Sequence, residues 1–242
     1  MAILSGKRIL VSGAGSGIGR SSAQCFAKAG AELILVGRGR EMLVETLPAA
    51  THQALDHADE KAVAAFASHC PELDGMFLAA GQLATGSVES TSVDEFDRMI
   101  SANLRGPWLL CHHLSPRLKH GGSVVLVGSN IGIRAIPDSA AYSISKAGVH
   151  MLARVLSLEW APRAIRCNAI APGPIHTTMV DERLNRSQDP SGDLARLSSV
   201  NPMGRLGLPD EIARLGLHLL SDDSAWTTGA VIPVDGGAEA AF

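Results

Sequence analysis

The sequence predicts an α/β protein: a three-layer, doubly wound fold in which a seven-stranded parallel sheet carries helices on both faces. Three observations lead there. Short apolar runs alternate with segments of helical period along the whole chain. The runs are apolar on both faces, as strands covered from both sides must be. Glycine is abundant, at 25 of 242 residues, while aromatics are only 4%; this favours tight turns between layers over an aromatic-rich sandwich. A chain of this length is expected to form one domain, 1–242.

Taken in order, Arg8–Ser12 (RILVS) reads as the first strand. Residues 18–29 read as a helix with Ile18, Cys25, Phe26 and Ala29 inward. A second strand is expected at 33–36, a short third at 53–55, an Ala-rich helix at 58–68 and a fourth strand at 76–79. A long helical stretch, 93–119, follows. Residues 123–127, entered from Gly121 and Gly122, read as the fifth strand, 141–160 as a helix and 165–170 as the sixth strand. Pro209–Leu220 opens as helices favour, with Pro in the first turn and Asp210 and Glu211 behind it. Val231–Val234 completes the sheet. The polar stretch 176–204 looks irregular, and inside a compact domain it reads as a lid or binding loop, 175–204, rather than a boundary.

Several partner classes are disfavoured. The net charge is −3 and there is no Lys/Arg run, so neither nucleic acid nor an anionic membrane is expected as a partner. The start, MAILSGKRILVSG, lacks the regions of a signal peptide, and the apolar runs are too short to span a bilayer. Cysteines 25, 70, 111 and 167 lie far apart with no CxxC, which suggests free thiols in a reducing compartment and a cytoplasmic location. Nine histidines include no HExxH, and the adjacent His112 and His113 cannot share a helix face, so no metal site is expected.

Two motifs carry chemistry. Gly13-Ala14-Gly15-Ser16-Gly17-Ile18-Gly19 sits between an expected strand and an expected helix. Glycines there let the backbone turn sharply and approach a pyrophosphate, and the helix N-terminus offers unpaired N–H groups. In that setting the cluster points to dinucleotide binding on a Rossmann fold. The second motif is Tyr142-Ser143-Ile144-Ser145-Lys146. On a helix, positions i and i+4 share a face about 6 Å apart along the axis. A lysine so placed is expected to lower the phenol's pKa from its usual value near 10 toward acid–base work at neutral pH. Tyr142 is the chain's one tyrosine. Ser129 ends the fifth strand, thirteen residues earlier, where ligands of open α/β sheets bind. Asn103 lies inside a helical stretch, a locally unfavourable position.

Gly13, Gly17 and Gly19 follow the spacing TGxxxGxG, with Ser12 in place of Thr. Together with Asn103, Ser129, Tyr142 and Lys146 in that order, they make the chain resemble the short-chain dehydrogenase/reductase family from Gly13 to Gly237. The resemblance implies these four as the catalytic residues, with Asn103 bending its helix and holding a water that joins the lysine to solvent. It implies cofactor contacts from Gly13, Ser16, Gly17, Ile18, Gly19, Ala80, Gly81, Tyr142 and Lys146. Further contacts are implied from Asp56 (to the adenine amino group), from Pro172 and Gly173, and from Ile175 and Thr177 (to the nicotinamide amide). Leu78-Ala79-Ala80-Gly81 stands where the family has NNAG, so both asparagines are missing. Gly37 stands where NAD enzymes carry Asp, and Arg38 follows. A guanidinium can grip a 2′-phosphate through two parallel bonds, with Arg40 assisting, so NADP is expected, NAD being possible.

The function so read is hydride transfer between a nicotinamide and a small-molecule carbonyl or secondary alcohol, by a homotetramer or homodimer packed through 93–119, 141–160 and the last strand. A 3-oxoacyl reductase and a sugar or secondary alcohol dehydrogenase both fit. The lid mixes Met179, Val180, Leu184, Leu194 and Leu197 with Arg183, Arg186 and Arg196, which suits an apolar ketone with a polar or acidic end. The rival readings are a non-catalytic NADP-binding sensor or scaffold, which has no use for Tyr142 and Lys146, and a methyltransferase, which the YxxxK spacing disfavours.

Overall fold

The computed structural model describes residues 2–241 and, within them, every side chain except that of Arg183. Seven strands, β1 Arg8–Ser12, β2 Glu32–Gly37, β3 Thr51–Ala54, β4 Leu73–Leu78, β5 Leu118–Val127, β6 Arg166–Pro172 and β7 Val231–Val234, form one sheet in the order β3-β2-β1-β4-β5-β6-β7. Every pairing is parallel. The period-two alternation of the strands divides the core into two. Leu10, Met76 and Val124 face helices α3 (Glu60–His69), α5 (Gly106–Leu114) and α6 (Ala140–Glu159). Ile9, Val11, Phe77 and Val125 face α1 (Gly17–Lys28), α2 (Arg40–Thr46) and α9 (Pro209–Leu220). In that second layer Phe26 of α1 meets Phe77 edge to ring at 5.3 Å. The chain leaves β1 for β2 on one side and returns to β4 on the other. The resulting crevice at the C-terminal strand ends is where such sheets bind ligands.

Four sequence expectations need correcting. The third strand begins at Thr51 rather than 53 and ends at Ala54. Residues 40–46, given no element, form the short helix α2, held by the fully buried Leu43 and by the Thr46 hydroxyl, which donates to the Ala14 carbonyl at 2.9 Å. The long helix 93–119 is interrupted. Helix α4 (Val93–Ile100) passes into a π-helical turn, Ser101–Arg105, and then into α5. Pro107 explains the break, because it lacks the N–H that an α-helix would direct at the Asn103 carbonyl. The Gly106 N–H reaches back to the Ser101 carbonyl instead. Pro116 then ends the helical run in a 3₁₀ turn, Ser115–Arg117, and 118–119 already belong to β5. Finally, 175–204 is mostly helical: α7 (Thr178–Asn185) and α8 (Pro190–Ser199). The Asp189 carboxylate caps α8 by accepting from the Gly192 N–H at 2.9 Å. No helix among the described residues is long and apolar enough to cross a membrane, and none of their His, Cys, Asp and Glu side chains form a group able to hold a metal ion.

Candidate active site

A cavity of about 290 Å³ opens over the C-terminal strand ends. Its wall begins at the Gly-rich turn, with Gly13, Ser16, Gly17, Ile18 and Gly19. Gly13 takes a positive φ of 68°, and a Cβ there would lie 2.7 Å from the Ala80 nitrogen, so only glycine fits. Ser16 precedes α1 with extended backbone, no side chain caps the helix and its first turn holds no acid. The leading amides of α1 are therefore free to meet an anion, with the positive end of the helix dipole behind them. Ala80 and Gly81 line the cavity after β4, Pro172 at the end of β6, and Gly173, Ile175 and Thr177 after it. Where the NNAG asparagines are missing, the Ser12 hydroxyl accepts from the Ala80 N–H at 3.3 Å. Open amides, a turn with no room for side chains and a long wall of backbone suit a dinucleotide.

Ser129, Tyr142 and Lys146 line the same cavity. Ser129 follows β5. Tyr142 and Lys146 lie one turn apart on α6, the lysine Nζ 5.7 Å from the centre of the phenol ring. Lys146 is buried, and its Nζ donates to the Val127 carbonyl at 2.9 Å. Burial pulls its pKa down to about 8. The Tyr142 phenol is raised, not lowered as the sequence suggested. Burial dominates, opposed by a hydrogen bond with the Ser129 hydroxyl. The ammonium meant to acidify the phenol is itself desolvated and turned toward a backbone carbonyl.

Asn103 is fully buried in the π turn and does not line the cavity. Its Oδ1 accepts from the Gln82 N–H at 2.7 Å, and its Nδ2 donates to the Gln82 carbonyl at 2.9 Å and the Ser145 hydroxyl at 3.1 Å. Ser145 in turn donates to the Tyr142 carbonyl at 2.7 Å. Asn103 thus ties the loop after β4 to the turn of α6 that carries Tyr142. Arg38 and Asp56 also stand apart from the cavity wall. They follow the paired strands β2 and β3 and are exposed. Asp56 accepts from the Ala58 N–H at 2.9 Å. Arg38 has no ion-pair partner among the described residues, and Arg40, also exposed, donates one guanidinium N–H to the His52 carbonyl at 3.3 Å.

One residue escaped the sequence reading. His150 continues the face of Tyr142 and Lys146 one turn further along α6, and its ring lies against Gly128, where a Cβ would meet Nε2 at 2.1 Å. The ring Nε2 accepts from the Ser129 N–H at 3.4 Å, and the imidazole also makes a hydrogen bond with the Gly132 backbone. The i, i+4, i+8 spacing was the available signal.

Comparison with known proteins follows the same outline. The family model described as Enoyl-(Acyl carrier protein) reductase matches residues 13–239. Levodione reductase from Leifsonia aquatica is 36% identical over 252 residues, covering 97% of this chain and 94% of that protein. The 2-keto-3-deoxy-L-fuconate dehydrogenase of Xanthomonas campestris pv. campestris is 35% identical over 97% of this chain and 80% of its own length. A crystal structure of levodione reductase superposes with a TM-score of 0.91 at 33% identity, covering 99% of this chain and 100% of that one.

Proposed function

The chain belongs to the short-chain dehydrogenase/reductase family, oxidoreductases acting on alcohol and carbonyl groups, and from that premise we propose that it exchanges a hydride between NADP and a ketone or secondary alcohol with Tyr142 as proton donor and acceptor. The observation that carries this reading is a single cavity shared by the open N-terminus of α1, Ser129, Tyr142 and Lys146.

The glycines at 13, 17 and 19, with Ser16 and Ile18, would hold the pyrophosphate on the α1 amides. Lys146 would hold the nicotinamide ribose, Ile175 and Thr177 the carboxamide, Asp56 the adenine amino group, and Ala80, Gly81, Pro172 and Gly173 the walls between. Arg38 would pair with a 2′-phosphate, which favours NADP; Gly37 leaves no carboxylate to repel it. When bound, the nicotinamide supplies or takes the hydride. The rest falls to the chain. In reduction the substrate oxygen lies between Ser129 and Tyr142. Ser129 donates a hydrogen bond to that oxygen as negative charge develops, and Tyr142 gives it the proton. Burial raises the phenol pKa, so at neutral pH the group carries the proton that reduction consumes. Asn103 keeps the Tyr142 turn in register through Ser145. The lid 175–204 closes over the substrate. The active species is a homotetramer or homodimer in a reducing compartment such as the cytoplasm, supported by four free thiols, three of them buried.

The decisive measurement follows NADPH absorbance with a panel of ketones. Tyr142→Phe is expected to lower turnover at least about 100-fold while NADPH still binds. Activity that survives would overturn the role of Tyr142. NADPH binding without turnover of any ketone by the unaltered protein would favour a sensor instead. Arg38→Ala is expected to weaken NADPH about 10-fold, the scale of one charge-assisted pair, and to leave NADH unchanged, read by titration calorimetry. An unchanged ratio removes the phosphate role.

A further inference from the structure

We infer that the substrate is an uncharged, largely apolar ketone or its secondary alcohol, and not a 2-oxoacid, a sugar phosphate or another anion. The inference rests on the oxidoreductase reading above and narrows it. Beside Ser129 and Tyr142, the cavity wall not assigned to the cofactor is built by Leu83, Ile131, Ile136, Met179, Val180 and Leu197. They come from separate parts of the chain: the loop after β4, the loop after β5, α7 and α8. Ile136 and Met179 remain 41% and 40% exposed, so apolar surface lies open for a ligand to cover.

The polar groups of this wall, such as Gln82, Thr85, Ser139 and Thr178, are all uncharged. Among the described lining residues the sole ionised side chain is Lys146, whose Nζ already serves Val127 and would serve the ribose. Two arginines nearby are engaged elsewhere. Arg196 pairs with Asp193, and Arg205 makes two bonds to Glu211, at 2.9 and 2.6 Å. Arg186 is exposed and does not reach the wall. An anionic group entering here would lose water and find no counter-charge among the described side chains, which is costly. An uncharged ring would gain from every apolar contact. Of the lid arginines that suggested an acidic end in the sequence, the Arg183 side chain lies outside the described residues, and neither Arg186 nor Arg196 offers a partner at the wall.

A matched trio tests this: 4-methylcyclohexanone, 4-oxocyclohexanecarboxylate and its methyl ester, each reduced with NADPH at pH 7. The first two are close in size and differ in charge, and the ester restores neutrality at larger size. The methyl compound and the ester are expected to exceed the carboxylate in kcat/KM by about 100-fold or more, the order seen when a site leaves a buried charge unpaired. Leu197→Arg, or Met179→Arg should the first variant fold poorly by its melting curve, is expected to shrink that ratio about 10-fold. A carboxylate turned over as well as the neutral pair overturns the inference and leaves the oxidoreductase reading intact. An unchanged ratio in both folded variants also overturns it, because these side chains would then not face the substrate. Failure of every ketone, charged or neutral, while NADPH binds removes the broader reading and this one together.

Discussion

The His150 ring makes two backbone contacts: Nε2 accepts the Ser129 N–H, and the imidazole also bonds the Gly132 backbone. Burial, aided by the nearby Lys146 charge, lowers its pKa to about 4. An unfolded histidine titrates near 6.5. Between those values the unfolded chain binds a proton that the folded chain refuses, so stability is full above about pH 6.5 and falls as pH drops toward 4. The loss reaches up to about 3 kcal/mol. Urea unfolding at pH 7, 5.5 and 4.5 reads it, and the difference between the unaltered protein and His150→Gln isolates this residue from the carboxylates. Identical slopes would assign the acid sensitivity elsewhere. Glutamine also offers an oxygen to the Ser129 N–H. His150→Gln should therefore keep kcat within about threefold, whereas His150→Leu, which offers none, should lower kcat about 10-fold with KM little changed. Equal losses in the two variants would make His150 a packing residue. At this scale the sequence was informative where spacing alone places side chains, as for Tyr142 and Lys146, which lie one turn apart on α6 and line one cavity. It was misleading where the outcome depends on solvent: the phenol pKa rises because burial outweighs the Ser129 hydrogen bond, and burial is a property of the folded wall.

The π turn at Ser101–Arg105 does for Asn103 what an α-helix could not. Pro107 withholds an N–H, the ladder slips by one residue, and the Ala102 carbonyl left over is taken by His57 Nε2 at 2.7 Å. Asn103 then meets both backbone groups of Gln82. Asn103→Ala would strand the part-buried Gln82 N–H and carbonyl, with an expected cost of about 1–3 kcal/mol in denaturant unfolding and reduced turnover from a loosened Tyr142 turn. A loss under 1 kcal/mol would mean that water replaces the amide. Helical period in 93–119 was legible, but its interruption lay in Pro107 and Pro116, which a periodicity count passes over. Helices α7 and α8 were missed because their polar faces meet solvent, although Asp189-Pro190 carries the cap-then-proline signal of a helix start. Helix α2 is two turns long, and tertiary contacts of Leu43 and Thr46 hold it.

On the scale of the molecule, alternating strands and helices determine seven parallel strands and therefore a switch crevice between β1 and β4, which is why the Gly-rich turn and the Tyr142 cluster share one cavity. Arg38 and Asp56 stay outside it because they follow the outer strands β2 and β3, at a distance that a bound dinucleotide would have to span. The opposite side of α6 carries another message. Ile144, Met151, Val155 and Leu158 recur at spacings of seven, four and three, so they form one stripe along the helix. They are 52%, 55%, 41% and 77% exposed. A run of aliphatic side chains of this kind, on a helix whose other face is core, fits a surface covered by a second copy of the chain. Light scattering is expected to give a mass of two or four chains, and Leu158→Glu, which sets a carboxylate in the middle of an apolar contact, is expected to shift the population toward smaller species by at least about 10-fold in dissociation constant. Because Leu158 is the most exposed of the four, its replacement leaves the monomer core untouched, and a cooperative melting curve of the dissociated form would show that the shift in size reports on assembly and not on unfolding. A monomeric unaltered protein, or an assembly indifferent to Leu158→Glu and to Met151→Glu, would leave the stripe without a partner and remove the oligomer from the reading.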